Sequence, residues 1–292
     1  MASKKWIGTS VIIGDYSEPT NWEPSGVPVA ADDVIFADSN QDVLAGFDQS
    51  AVALNSITFD QSYTGVIGTS QSDFLQVAAS VSQIGQTRTN VGTLTGSARL
   101  NLDFGSSTPC AITIFNSGTL ARDQNRQALR LRMSNASTTV DMYAGSASIS
   151  DDTENASTLQ AAFISDFGSL NIGNNVTITD IVTNGGTMTL SSSVLGDAQI
   201  KGGIFNQYDG IVVSTINSAT VSGGTYNSYA SGLISALEMV GGTTDLTKTQ
   251  LPKTITTATL GLGAVLIIDT AVQTITSELK LPSAGQFTVS VR

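Results

Sequence analysis

Three features of the sequence predict an all-β chain wound as a right-handed parallel β-helix: a hydroxyl- and glycine-rich composition, a glycine-led phrase recurring about every 20 residues, and strand-length apolar alternation between the glycines. Of 292 residues, 36 are Ser, 36 are Thr and 28 are Gly, against only 13% charged. Thr suits a pleated strand and Ser and Gly suit turns, whereas the Lys and Glu that furnish solvated helix faces are scarce. With 40% hydrophobic residues and a mean hydropathy of +0.12, the chain is too apolar for a disordered linker.

The phrase is a turn glycine, a small residue, then alternating apolar positions. Its glycines are Gly96, Gly118, Gly145, Gly168, Gly186, Gly203, Gly224, Gly242 and Gly261, at intervals of 22, 27, 23, 18, 17, 21, 18 and 19 residues. A period that drifts by a few residues suits a solenoid, where corner loops can lengthen while stacked strands keep register. Leucine-rich repeats share the period but need a regular leucine pattern, an Asn or Cys ladder and helix formers on the return arm, which this sequence lacks. Segments such as Val176 to Thr179 and Thr254 to Thr256 read instead as further strands. The pairs Gly185-Gly186, Gly202-Gly203, Gly223-Gly224 and Gly241-Gly242 each precede a strand, predicting one recurrent sharp corner. No Gly-Lys-Ser/Thr sequence or following helix supports a phosphate loop.

The first residues differ. Both tryptophans, Trp6 and Trp22, lie there, and Pro19, Pro24 and Pro28 mark an irregular loop. Strand-like segments follow at Val34 to Phe36, Ile57 to Phe59 and Val66 to Ile67. Residues 1–95 are expected to form a β-rich cap or small attachment region, and residues 96–292 the β-helix, because an open solenoid end needs covering.

Absences narrow the chemistry. Without His, the chain has no Ser-His-Asp or Cys-His nucleophile system and no imidazole metal site. The single cysteine, Cys110, allows no internal disulfide and reads as a small buried hydrophobe. A net charge of −11 argues against nucleic acid or an anionic membrane as partner. The N-terminus lacks the apolar core of a signal peptide and no 18-residue apolar run follows, so neither an export signal nor a membrane anchor is expected. No cofactor or metal site is predicted.

Two charged clusters remain. Asp151, Asp152 and Glu154 are the densest acidic group, and β-helical glycosidases and lyases use closely spaced carboxylates. Pectin-cleaving β-helix hydrolases also carry an Asn-Thr-Asp, a Gly-His-Gly and an Arg-Ile-Lys; this chain offers only Asp151-Asp152 and Ile200-Lys201. The cluster therefore reads as a solvated loop, with calcium or sugar binding left open. Arg122, Arg126, Arg130 and Arg132 fall within eleven residues against one acid, Asp123, giving this segment +3 and the remainder −14. They interrupt the repeat at its longest interval, as an insertion projecting from a coil would. With Trp6 and Trp22 they form the candidate interface, since guanidinium groups pair with carboxylates in a planar, multidentate manner.

The phrase Asn21-Trp22-Glu23-Pro24-Ser25-Gly26-Val27-Pro28, followed by Asp32-Asp33-Val34-Ile35-Phe36, resembles one found in bacterial surface proteins with β-helical passengers and in tailed-phage virion proteins. The continuations Asp48 to Val52, Asp60 to Gly68 and Asn135 to Val140 are similar to the phage setting, so the resemblance spans roughly the first 150 residues. It implies a phage structural protein without catalytic residues: a capsid decoration (cement) protein on the capsid exterior, commonly trimeric and bound to the major capsid protein. A tail fibre or spike is the alternative of the same class, and a polysaccharide depolymerase or lyase the alternative of another. The expected partners are thus a homotrimer of the chain itself and the phage shell.

Overall fold

The computed structural model describes residues 2–9, 14–68, 73–85, 100–117, 129–150, 156–209, 213–282 and 288–291. They fall into two compact units, Met1–Ile149 and Ser150–Arg292. Among the described residues there is no α-helix, only a 3-10 turn at Pro19–Asn21, and no helix is long and apolar enough to cross a membrane. Both units are built from parallel coils, the β-helix that the glycine period predicts.

The strands of the first unit are β1 (Ser3–Trp6), β2 (Trp22–Glu23), β3 (Asp33–Phe36), β4 (Asp48–Phe59), β5 (Leu75–Ile84), β6 (Leu100–Asp103), β7 (Ala111–Ile114), β8 (Leu129–Arg132), β9 (Thr139–Met142) and β10 (Ser146–Ile149). One parallel ladder runs β1-β3-β4-β5-β7-β9 and a second runs β5-β6-β8-β10. β1 and β2 pair antiparallel through Lys5↔Glu23 and Trp6↔Trp22. Parallel stacking is therefore already present at β1 and β3, well ahead of the first glycine phrase.

An aromatic cluster fills the N-terminal part of this unit. Trp6, Tyr16, Trp22, Phe36, Phe59 and Tyr63 are buried, with Trp22 edge-on to Tyr16 at 4.7 Å and Phe36 stacked on Phe59 at 4.8 Å between centroids. Burying indole demands a partner for its N–H. Trp22 Nε1 donates to the Tyr16 carbonyl at 2.8 Å and Trp6 Nε1 to the Gln41 carbonyl at 3.1 Å.

The second unit alternates long and short strands: β11 (Ser157–Ile164), β12 (Ser169–Ile172), β13 (Val176–Thr183), β14 (Thr187–Leu190), β15 (Ser193–Ile200), β16 (Ile204–Tyr208), β17 (Ile216–Val221), β18 (Thr225–Tyr229), β19 (Gly232–Met239), β20 (Thr243–Asp245), β21 (Lys253–Leu260), β22 (Val265–Ile268), β23 (Gln273–Lys280) and β24 (Thr288–Val291). Odd strands stack only on odd and even on even, all parallel. One interior column in register is Leu159, Ile178, Val194, Ile216, Ile234 and Ile255, followed on β23 by the half-buried Ile275. Stacking like on like buries aliphatic area continuously from coil to coil, which no single coil achieves alone.

The corners between β13 and β14, β15 and β16, β17 and β18, and β19 and β20 are the glycine pairs. The second member of each has φ of +57° at Gly186, +67° at Gly203, +65° at Gly224 and +70° at Gly242. At Gly203 a Cβ would lie 2.5 Å from backbone atoms of Gly185 and Gly186 in the coil below, so both conformation and close approach require glycine. The hydrogen-bond ladder continues through the corner: Ile204 N donates to Gly186 O at 2.9 Å and Thr225 N to Gly203 O at 2.9 Å.

Candidate functional site

The side chains with the least ordinary environment lie inside the second unit. On β16, Phe205 faces inward, so strand alternation sends Gln207 inward as well. Its column is apolar at Ile172 and Leu190, then polar at Gln207 and Ser228. Lys253, the first residue of β21, is only 2% exposed, and its Nζ lies 2.9 Å from Gln207 Oε1. An ammonium group can only donate, which identifies the carboxamide atom facing it as oxygen. Tyr226 donates a short hydrogen bond to the same oxygen, and Ser228 Oγ lies 3.3 Å from it.

The amide nitrogen points the other way. Gln207 Nε2 donates to Ser214 Oγ at 3.0 Å and approaches the Ser214 carbonyl at 3.4 Å. Ser214 Oγ in turn donates to the carbonyl of Ser192. Ser192 lines a surface groove of about 190 Å³ with Asn174, Asn175, Thr177 and Leu195, so the polar network runs from the interior to the groove. Asp209 flanks the network, accepting from Ser214 N at 3.1 Å and from Ser231 N and Oγ at 3.0 and 2.8 Å.

Electrostatics follow from this burial. Desolvation pushes the Lys253 amine down to about 8, against the opposing pull of Asp209. Burial likewise raises the Tyr226 phenol, keeping it a neutral donor. Burial would raise the Asp209 carboxyl, but the N–H groups of Ser231 and Ser214 and the Ser231 hydroxyl outweigh it and hold the group below the ordinary carboxylate range. Together these groups present an amine that gives up its proton near pH 8, a polarised carbonyl and a hydrogen-bonded amide nitrogen within one buried cluster.

The residues proposed from sequence as an interface are distributed differently. Trp6 and Trp22 are 0% and 1% exposed within the aromatic cluster, so neither side chain is on the surface of the folded chain. Arg130 and Arg132 belong to β8, a strand of the coil itself, so the expected projecting insertion does not extend to them. Arg130 is 3% exposed, and the two guanidinium groups lie 4.9 and 3.6 Å from the Phe74 ring centroid. A delocalised cation over an aromatic face tolerates burial better than an ammonium group would, which is how an arginine pair fits here. Arg122 and Arg126, like Asp151, Asp152 and Glu154, lie outside the described residues. Cys110 is buried and its thiol is pushed up to about 12 by desolvation, as a small core hydrophobe should be. The described residues hold no group of three or more His, Cys, Asp or Glu side chains placed to bind a metal.

Sequence reasoning missed Gln207, Tyr226 and Lys253. The available signal was the alternation: in Ile204-Phe205-Asn206-Gln207-Tyr208 the inward positions are the second and fourth. No family model, curated protein or solved structure matches this chain.

Proposed function

We propose that the chain is a structural virion component: a capsid decoration protein that binds the outside of a phage head as a homotrimer and braces the shell. The observation that carries this reading is the use of the carboxylates as clamps within the coils. Asp33 accepts from Ser56 Oγ and Asn55 Nδ2 at 2.5 and 2.7 Å, Asp48 from Ser50 Oγ and N at 2.7 and 3.2 Å, and Asp245 from Thr247 Oγ1 and N at 2.7 and 2.9 Å. These bonds hold the Asp33 and Asp48 carboxyls below the ordinary carboxylate range, and at Asp245 they outweigh the upward push of burial together with the Lys248 ammonium 3.0 Å away. A glycosidase acid needs the opposite, a carboxyl raised far enough to carry a proton near neutral pH. Among the described residues, carboxylates held ionised at strand ends act as fixtures of the coils, which supports a rigid scaffold, and the N-terminal resemblance supplies the virion setting.

Quantitative mass spectrometry of purified particles tests it. A decoration protein is present in copy number comparable to the shell protein, whereas a handful of copies per particle would assign the chain to the tail. Release of reducing ends or unsaturated products from host polysaccharide would overturn the structural reading altogether.

A further inference from the structure

We propose that the second unit locks itself covalently: Lys253 Nζ attacks the side-chain carbonyl carbon of Gln207, and an isopeptide bond joining β21 to β16 replaces the carboxamide as ammonia leaves. The reacting groups are already assembled. Nζ is 2.9 Å from Oε1, although the two residues are 46 positions apart in sequence. For attack, the amine must swing from the carbonyl oxygen onto the face of the adjoining carbon, and packing on all sides keeps it from straying further.

The surroundings match the charge changes of the reaction. As Nζ bonds to Cδ, negative charge develops on Oε1, where the Tyr226 hydroxyl already donates and Ser228 Oγ lies within reach. The leaving nitrogen is held by Ser214 Oγ, whose own bond to the Ser192 carbonyl leads toward the surface groove and gives ammonia a route outward. Burial favours the free-base form of the amine, with Asp209 the facing charge that opposes it. The step balances without an oxidant or another reactant: as the Nζ–Cδ bond forms, the two protons that the alkylammonium sheds pass to Nε2, the Cδ–Nε2 bond breaks, and the products are a secondary amide and ammonium. The product amide is enclosed where water has little access, so hydrolysis does not compete.

Such a bond would form wherever the folded protein resides, and a mass measurement tests it. Tryptic digestion of the purified full-length chain after unfolding should give a branched species in which the peptide of residues 202–248 is linked through Gln207 to that of residues 249–280, uncleaved at Lys253 and lighter than the sum of its parts by one ammonia. Lys253→Arg keeps a cationic donor but removes the nucleophile, and should restore unlinked peptides of full mass, residues 202–248, 249–253 and 254–280, since trypsin also cleaves after arginine. Recovery of unlinked peptides with normal cleavage after Lys253 in the wild-type chain, even after prolonged incubation of the folded protein, would overturn the proposal whether or not the variant folds. Fragmentation spectra that place the ammonia loss at another residue would do so equally.

Discussion

Substituting Gly203 by Ala separates two demands that the stacked corner makes on the chain. The first is conformational: φ is +67° there, and an L side chain in the left-handed region costs roughly 1–2 kcal/mol. The second is steric, because the new Cβ would meet the Gly185 carbonyl group and the Gly186 oxygen at 2.5 Å, all of them backbone atoms that cannot rotate away. Prising apart two hydrogen-bonded coils resembles overpacking a core, which adds about 1–3 kcal/mol. Gly263 provides the internal control: its φ is +78°, but a Cβ added there would have no atom within 4 Å, so Gly263→Ala carries the conformational penalty alone. Both changes reduce the entropy of the unfolded chain equally, so that contribution cancels in the comparison. Denaturant titration followed by far-ultraviolet circular dichroism should show Gly203→Ala destabilised by about 2–5 kcal/mol and Gly263→Ala by about 1–2 kcal/mol, with similar m-values. Equal losses at the two sites would refute the argument that close coil approach, beyond positive φ, requires the paired glycines.

Other outcomes follow from the same structure. Phe36→Ala, which leaves a hole among Trp6, Trp22, Phe59 and Tyr63, should destabilise the chain by about 3–5 kcal/mol and weaken the near-ultraviolet tryptophan signal; an unchanged spectrum would count against the aromatic cluster. Because the Asp209 carboxyl is held below its unfolded value, its stabilisation is complete above about pH 4 and is lost as pH falls through the lower folded value. Asp209→Asn should therefore flatten the acid limb of the stability curve, and superimposable acid limbs would contradict the assigned clamp. Cys110 should react with a thiol reagent only after unfolding, so rapid labelling of the native chain would show it accessible.

The legible features were those that repeat. Paired glycines at Gly185, Gly202, Gly223 and Gly241 announced a corner because only a recurrent backbone demand places glycine there coil after coil, and the burial of Cys110 followed from its type. Single departures from the pattern were harder to read. Arg130 looked like a surface residue because it is charged, yet its partner Phe74 comes from a distant part of the sequence and nothing local reveals it. Trp6 and Trp22 could have served an interface or a core; the deciding facts are distant carbonyls, Gln41 for Trp6, and ring partners from several segments. Lys253 and Gln207 come from different coils, so their pairing exists only once register is known. Coiling from β1 to β5 was hidden because the sequence there carries no paired-glycine phrase.

Neighbouring outward residues of the second unit offer the most direct test that coils stack parallel and in register. Asn206 faces Asn227 across adjacent strands, their side-chain amides 3.1 Å apart, and Asn227 faces Asp245 one coil further on. Adjacent strands are separated by about 4.8 Å, inside the Cα range that a disulfide spans, whereas positions two coils apart are about twice as distant and outside it. In a Cys110→Ala background, the pair Asn206→Cys with Asn227→Cys should therefore oxidise readily to an intramolecular disulfide, and the pair Asn206→Cys with Asp245→Cys should not. A disulfide in the second pair but not the first would contradict the stacking order of the coils.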